Sequence, residues 1–188
     1  MDALLIAFVA AALGEWGDKT QLLAAALAAR YAKPTPILAG IALAALANSL
    51  IAAIGGAMLR DMVTVRALTL LLALALLFAG GAGLFRQKAP DLGTTWKTGA
   101  FVTSAGCFFL LEFGDKTQFI TAAISARFDA VASAAAGAAA GVLASSVPAV
   151  LLANRLGAVV PLQTIRLTVA TLFSVTGLLV AITALRLI

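Results

Sequence analysis

The sequence predicts an all-α integral membrane protein with six transmembrane helices arranged as two inverted three-helix repeats. Three observations carry this expectation. Of the 188 residues, 63% are hydrophobic and 11% charged, and the mean hydropathy of +1.09 is far above that of a soluble domain. Apolar stretches long enough to cross a bilayer recur from end to end. A shift of 97 residues lays Leu13–Arg30 on Leu110–Arg127 without a gap, and 11 of those 18 positions are identical.

The spans are expected at about 3–29, 36–59, 65–85, 98–126, 130–153 and 165–187. Each meets the ~20 residues that cover ~30 Å of hydrocarbon at ~1.5 Å per residue. The breaks between them are chemically marked. Arg30 to Pro36 holds two prolines and two basic residues, Arg60-Asp61 is a charged turn, and Arg127 to Asp129 is very short. Asn154 to Thr164 contains Gly157 and Pro161. Arg86 to Lys97, with Pro90, Gly93 and Lys88, is the longest polar linker and the natural midpoint. No polar region is large enough for a second domain. Residues 1–188 therefore read as one membrane domain, with repeat one at about 1–86, the linker at about 86–97 and repeat two at about 98–188.

The repeat register continues beyond the matched block: Gly40 meets Gly137, Ser49 meets Ser146, Leu59 meets Leu156 and Gly80 meets Gly177. Three spans per copy is an odd number, so the second copy enters the membrane upside down. That is the plan of secondary transporters, whose substrate sites lie near the midplane between the repeats.

Charge placement gives orientation. A net charge of +5 and a pI near 10.0 would suggest nucleic acid in a soluble protein. Here the basic residues cluster at span ends, so no nucleic-acid partner is expected and the lipid bilayer is. One side carries Arg30, Lys33, Arg86, Lys88, Lys97, Arg155 and Arg166, the other Arg60, Arg66, Arg127 and Arg186. This bias predicts a cytoplasmic linker with both termini outside. The first segment has no basic n-region or small-residue cleavage site and reads as a retained span. With no histidine, imidazole metal sites, Ser-His-Asp triads and histidine relays are excluded, and the single Cys107 cannot form a disulfide within the chain. No nucleophile is paired with a base, so an enzyme is not expected.

One short stretch occurs twice. Glu15-Trp16-Gly17-Asp18-Lys19-Thr20-Gln21 lies in the first span and Glu112-Phe113-Gly114-Asp115-Lys116-Thr117-Gln118 in the fourth. The remaining acids, Asp2, Asp61, Asp91 and Asp129, sit at span ends or in loops. Each Glu–Asp pair is three residues apart and is expected on one helix face near mid-span. Placing Glu15, Asp18 and Lys19 there costs roughly 8–10 kcal/mol on insertion scales. The nine Leu, Ile, Val and Phe residues of that span return only about 4 kcal/mol. The charges must meet partners inside the bundle, and the matching residues of the other repeat are the obvious ones.

Four carboxylates against two lysines leave a surplus of two negative charges, which one divalent cation or two protons would neutralise. Glu15, Asp18, Glu112 and Asp115, the amides of Gln21 and Gln118, and the hydroxyls of Thr20 and Thr117 form a hard-oxygen set. Such a set suits Mn²⁺, Ca²⁺ or Mg²⁺. Gly17 and Gly114 permit close helix approach or local unwinding, which would free carbonyls. The second span of each repeat adds Asn48-Ser49 and Ser145-Ser146, which could complete the shell or only pack between helices. Pro148 would leave the Ala144 carbonyl available or merely kink its helix. Trp16 and Phe113 could gate the site or pack beside it. The alternative for the motif itself is a pair of Glu15–Lys19 and Glu112–Lys116 salt bridges that staple the bundle.

At these residues the chain resembles the GDT family (uncharacterised protein family 16), whose mark is Glu-x-Gly-Asp-Lys-Thr once in each three-helix half. The resemblance covers essentially the whole chain. It implies a cation/calcium-exchanger relative that moves Mn²⁺ or Ca²⁺ against protons, with Glu15, Asp18, Glu112 and Asp115 as the cation ligands. Small bacterial members resemble manganese exporters of the plasma membrane. The residues alone imply a divalent-cation transporter, and manganese enters through the resemblance. The expected partners are thus the divalent cation and protons, with no cofactor, and a homodimer is left open. The competing functions are a passive cation channel on the same acidic ring and an exporter of cationic organic solutes.

Overall fold

A computed structural model describes residues 1–85 and 98–185. The expected linker at 86–97, with Arg86, Lys88, Pro90, Gly93 and Lys97, and also Arg186, lie outside the described residues. Those described form nine α-helices and no strand: α1 (Asp2–Glu15), α2 (Lys19–Tyr31), α3 (Pro34–Arg60), α4 (Val65–Leu84), α5 (Ala100–Glu112), α6 (Lys116–Phe128), α7 (Val131–Leu152), α8 (Leu156–Val159) and α9 (Leu162–Leu185). A 3-10 turn at Ala153–Arg155 joins α7 to α8, so the expected plain loop at 154–164 is partly helical.

Four expected spans are single helices. Pro34 at the first turn of α3 and the Thr64 hydroxyl, which accepts from Ala67 N, mark two of their starts. The other two expected spans, 3–29 and 98–126, are not continuous. Each breaks at the motif, because Gly17 and Gly114 adopt φ of 76°, a left-handed conformation that no α-helix contains and glycine enters freely. The residues on either side are extended: Trp16 and Asp18 around the first glycine, Phe113 and Asp115 around the second. The expected shared helix face is therefore absent. In each motif the glutamate ends one helix and the aspartate caps the next.

The exterior is apolar, and the polar side chains of the spans turn inward into a largely apolar core. On α3, Leu43, Leu46, Leu50 and Ile54 are exposed while Asn48 and Ser49 are buried. This inversion is what a lipid solvent demands, since buried polar groups must find partners within the bundle. The helices Pro34–Arg60, Val65–Leu84, Val131–Val159 and Leu162–Leu185 are long and apolar enough to cross a membrane, and Ala100–Glu112 is a shorter apolar helix. The molecule is a multi-pass membrane protein.

The packing crosses between the halves. α1 lies on α7, α5 on α3, α3 on α7 and α4 on α9. Small residues let the backbones approach. A methyl group at Gly40 would collide with the Phe101 carbonyl, and one at Gly137 with the Leu4 carbonyl. At the α4–α9 contact, Gly80 faces Ala170 and Ser174 while Gly177 faces Ala73 and Leu77. Each contact reappears with the halves exchanged at the spacing of the sequence repeat. Gly141 and Gly83 lie as close to the opposite helices, against Phe8 and Ala170.

Candidate metal centre

The two broken segments meet in the interior. Glu15 is fully buried, Glu112 and Asp18 nearly so, and Asp115 is partly buried. Carboxylate oxygens of Glu15, Asp18 and Asp115 all lie within 4.8 Å of one another. That span fits ligands around one hard cation, whose bonds are about 2.0–2.6 Å long. Glu112 is not in this triad, although it lies within electrostatic reach of Glu15, Asp115 and Lys19. The expected meeting of four carboxylates is thus three close together with the fourth alongside.

The lysines pair across the halves. Lys116 Nζ donates to Asp18, and it also reaches Asp115 at 3.4 Å. Lys19 Nζ donates to Asp115 at 3.2 Å. The Glu15–Lys19 and Glu112–Lys116 pairs within one motif do not form. With the helix broken between glutamate and lysine, an i,i+4 arrangement no longer exists. The aspartates also sit at the N-termini of α2 and α6, where the backbone dipole favours an anion. Glu15 and Glu112 sit at helix C-termini, the opposite end, and there only a cation or hydroxyl donors offset their charge.

Those donors are shared unequally. Thr20 and Thr117 both donate to Glu15, whereas Oε1 of Glu112 is buried without a partner among the described residues. The glutamines serve the backbone. Gln21 accepts from Gly17 N at 2.8 Å and donates to the Ser145 carbonyl at 3.0 Å. Gln118 accepts from Gly114 N at 2.9 Å and donates to the carbonyl and side-chain oxygens of Asn48 at 3.3 and 3.0 Å. Asn48 in turn donates to the Phe109 carbonyl at 3.1 Å. Each glutamine thus satisfies the amide of the left-handed glycine and ties the break to the helix opposite. Ser145 bonds back to the Val142 carbonyl, while Ser49 and Ser146 are buried in the same helices.

The motifs also differ in cover. Gly17 is buried, and a side chain there would meet the Leu162 carbonyl at 2.7 Å and Arg166 Cβ at 3.0 Å. Gly114 has none of the described residues within 4 Å of that position, and Phe113 beside it is 59% exposed while Trp16 is half-buried. Nothing in the sequence marks the start of α9 as this cover. Nor does any signal single out the Ser145 and Phe109 carbonyls, because every residue has one. Pro148 lies inside α7, one helical turn from the Ala144 carbonyl it releases, yet the carbonyl recruited is that of Ser145.

Buried carboxylates cross-braced by lysines inside an apolar bundle define a membrane transporter of cations. The chain belongs to the divalent cation/proton antiporter GDT1 family, whose sequence profile matches residues 3–91 and 100–187. It is a transporter and not an enzyme, and its substrates are divalent cations and protons. A protein of Vibrio cholerae serotype O1 named "Putative manganese exporter" is 38% identical over 182 residues, covering 96% of this chain and 91% of its own length. No solved structure is significantly similar to the chain.

Proposed function

We propose that the chain exports Mn²⁺ across a bacterial-type plasma membrane in exchange for protons, by alternating access at the motif centre, with Ca²⁺ as a second cargo. The observation that carries this reading is the triad of Glu15, Asp18 and Asp115, drawn from both motifs to within 4.8 Å inside a lipid-facing bundle. Hard carboxylate oxygens suit Mn²⁺ and Ca²⁺, and the relative's name supports manganese and the outward direction.

In this reading Glu15, Asp18 and Asp115 hold the ion directly. Glu112, buried with a bare oxygen, joins when the ion or a proton arrives. Thr20 and Thr117 aim Glu15, while Gln21, Gln118 and Asn48 hold the breaks open. Ser145 contributes through its carbonyl, and Ser49 and Ser146 lie buried in the same helices. Each pair of half-helices, α1 with α2 and α5 with α6, acts as one broken span, giving six spans in two inverted repeats within one domain. The exchanged contacts of Gly40 with Gly137 and of Gly80 with Gly177 support that plan. The Lys and Arg bias supports a cytoplasmic linker with both termini outside. One motif open at Gly114 and the other covered by Leu162 and Arg166 suit a carrier open to a single side.

The test is flux in proteoliposomes with Mn²⁺, Ca²⁺, Mg²⁺ and lysine, with and without a pH gradient. Mn²⁺ movement that follows the gradient and acidifies the opposite compartment is expected. Uptake indifferent to the gradient would leave a passive channel, and lysine transport would point to organic cations.

A further inference from the structure

We propose that the Lys116 ammonium is a tethered counter-cation, which occupies the metal position of the metal-free carrier and is displaced when the transported ion binds. This rests on the reading of Glu15, Asp18 and Asp115 as the ion's ligands. Lys116 Nζ touches Asp18 from the other motif and lies 3.4 Å from Asp115, so it bridges two of the three carboxylates a metal would need. Its repeat counterpart, Lys19, reaches Asp115 alone among the described carboxylates, at 3.2 Å. The two differ in depth as well, with side chains 7% exposed for Lys116 and 29% for Lys19. Lys116 is inside the centre and Lys19 at its opening. Thr117, the next residue of the same turn, donates to Glu15, so one turn of α6 engages all three members of the triad.

The physical need is clear. Aspartates bare of any cation are too costly to carry through a membrane interior, and two exchanged protons offset only half of four carboxylates. An ammonium on a flexible four-carbon stem supplies the charge and cannot leave. It offers one positive charge where the cargo offers two, so the divalent ion can win the carboxylates, while the lysine's return favours the ion's release. The same residue thus limits affinity and permits turnover.

The experiment is Mn²⁺ binding to the full-length protein in lipid nanodiscs. Lys116→Met removes the competitor and is expected to tighten binding about tenfold or more. Lys116→Arg, whose guanidinium forks onto two carboxylates, is expected to weaken it by a similar factor. In proteoliposomes Lys116→Met should keep Mn²⁺/Mn²⁺ self-exchange but slow net efflux, because the metal-free carrier of the return leg then has only its protons and Lys19 to offset four carboxylates. Weaker or unchanged binding in Lys116→Met would make the lysine a structural staple and overturn the proposal. Should that variant not fold, the parent protein decides: labelling of Lys116 by a small amine reagent must rise as Mn²⁺ is added, and no rise overturns the displacement. Asp18→Asn separates the two readings. If it binds Mn²⁺ as the parent does, the ligand assignment itself fails. If it loses binding while Lys116→Met does not tighten it, only the counter-cation fails.

Discussion

Glu15 and Glu112 hold the same place in two near-identical motifs, yet Glu15 accepts hydroxyls from Thr20 and Thr117 while Oε1 of Glu112 has no partner among the described residues. Identical side chains thus do different work in this conformation. Thr117→Val is expected to impair Mn²⁺ binding more than Thr117→Ser, because only the serine keeps a hydroxyl beside Glu15. Binding isotherms of the two variants provide the comparison. Equal losses would show that the methyl packing, and not the hydroxyl, is what matters.

Charge removal should separate site from scaffold. Asp18→Asn or Asp115→Asn is expected to abolish transport while the protein still inserts and folds, since losing one anion relieves repulsion as much as it breaks a pair. Lys19→Ala deletes a counter-charge instead and should lower the thermal midpoint, at a cost on the order of 1 kcal/mol given its partial exposure. Flux and thermal unfolding in parallel measure this. If both classes lose expression alike, the motif is a staple.

Protons and metal should compete. Each proton bound by the buried carboxylates removes charge that the cation needs, so Mn²⁺ affinity is expected to fall as pH drops between about 8 and 5.5. The coupling is reciprocal, so metal binding must release protons by the same free energy. Titrations in buffers of different ionisation enthalpy count them. A flat profile across that window would rule out a shared site.

The two glycines of the breaks should respond unequally. Alanine at Gly114 meets none of the described residues within 4 Å and suffers the left-handed backbone penalty, about 1–2 kcal/mol. Alanine at Gly17 carries the same penalty and also meets the Leu162 carbonyl, 2.7 Å away. Gly17→Ala is therefore expected to be clearly the more destabilising in thermal unfolding, and the reverse order would contradict the cover that α9 places over the first motif.

Much of this was legible in the residues, for identifiable reasons. Pro34 and the basic clusters mark helix ends because each acts on local backbone chemistry. The cross-half pairing of Lys19 with Asp115 follows from energetics, because mid-span charges had nowhere else to go. The break itself was less visible. Hydropathy sums side chains and does not register backbone conformation, so residues 3–29 and 98–126 read as continuous even though Gly17 and Gly114 signalled unwinding. The difference between Glu15 and Glu112 could not be read at all. Two copies of one motif share a sequence, and what distinguishes them is their surroundings in the fold, among them α9 against Gly17.

The contacts that recur with the halves exchanged, Lys19 to Asp115 with Lys116 to Asp18 and Gln21 to Ser145 with Gln118 to Asn48, are those of a self-complementary dimer joined by a tether. Neither half holds all three of the clustered carboxylates, Glu15, Asp18 and Asp115. Residues 1–85 and 98–188 made as separate polypeptides should each be inert and should regain Mn²⁺ binding when co-expressed. By the same logic, a polypeptide of half this length could build the centre by meeting a second copy of itself.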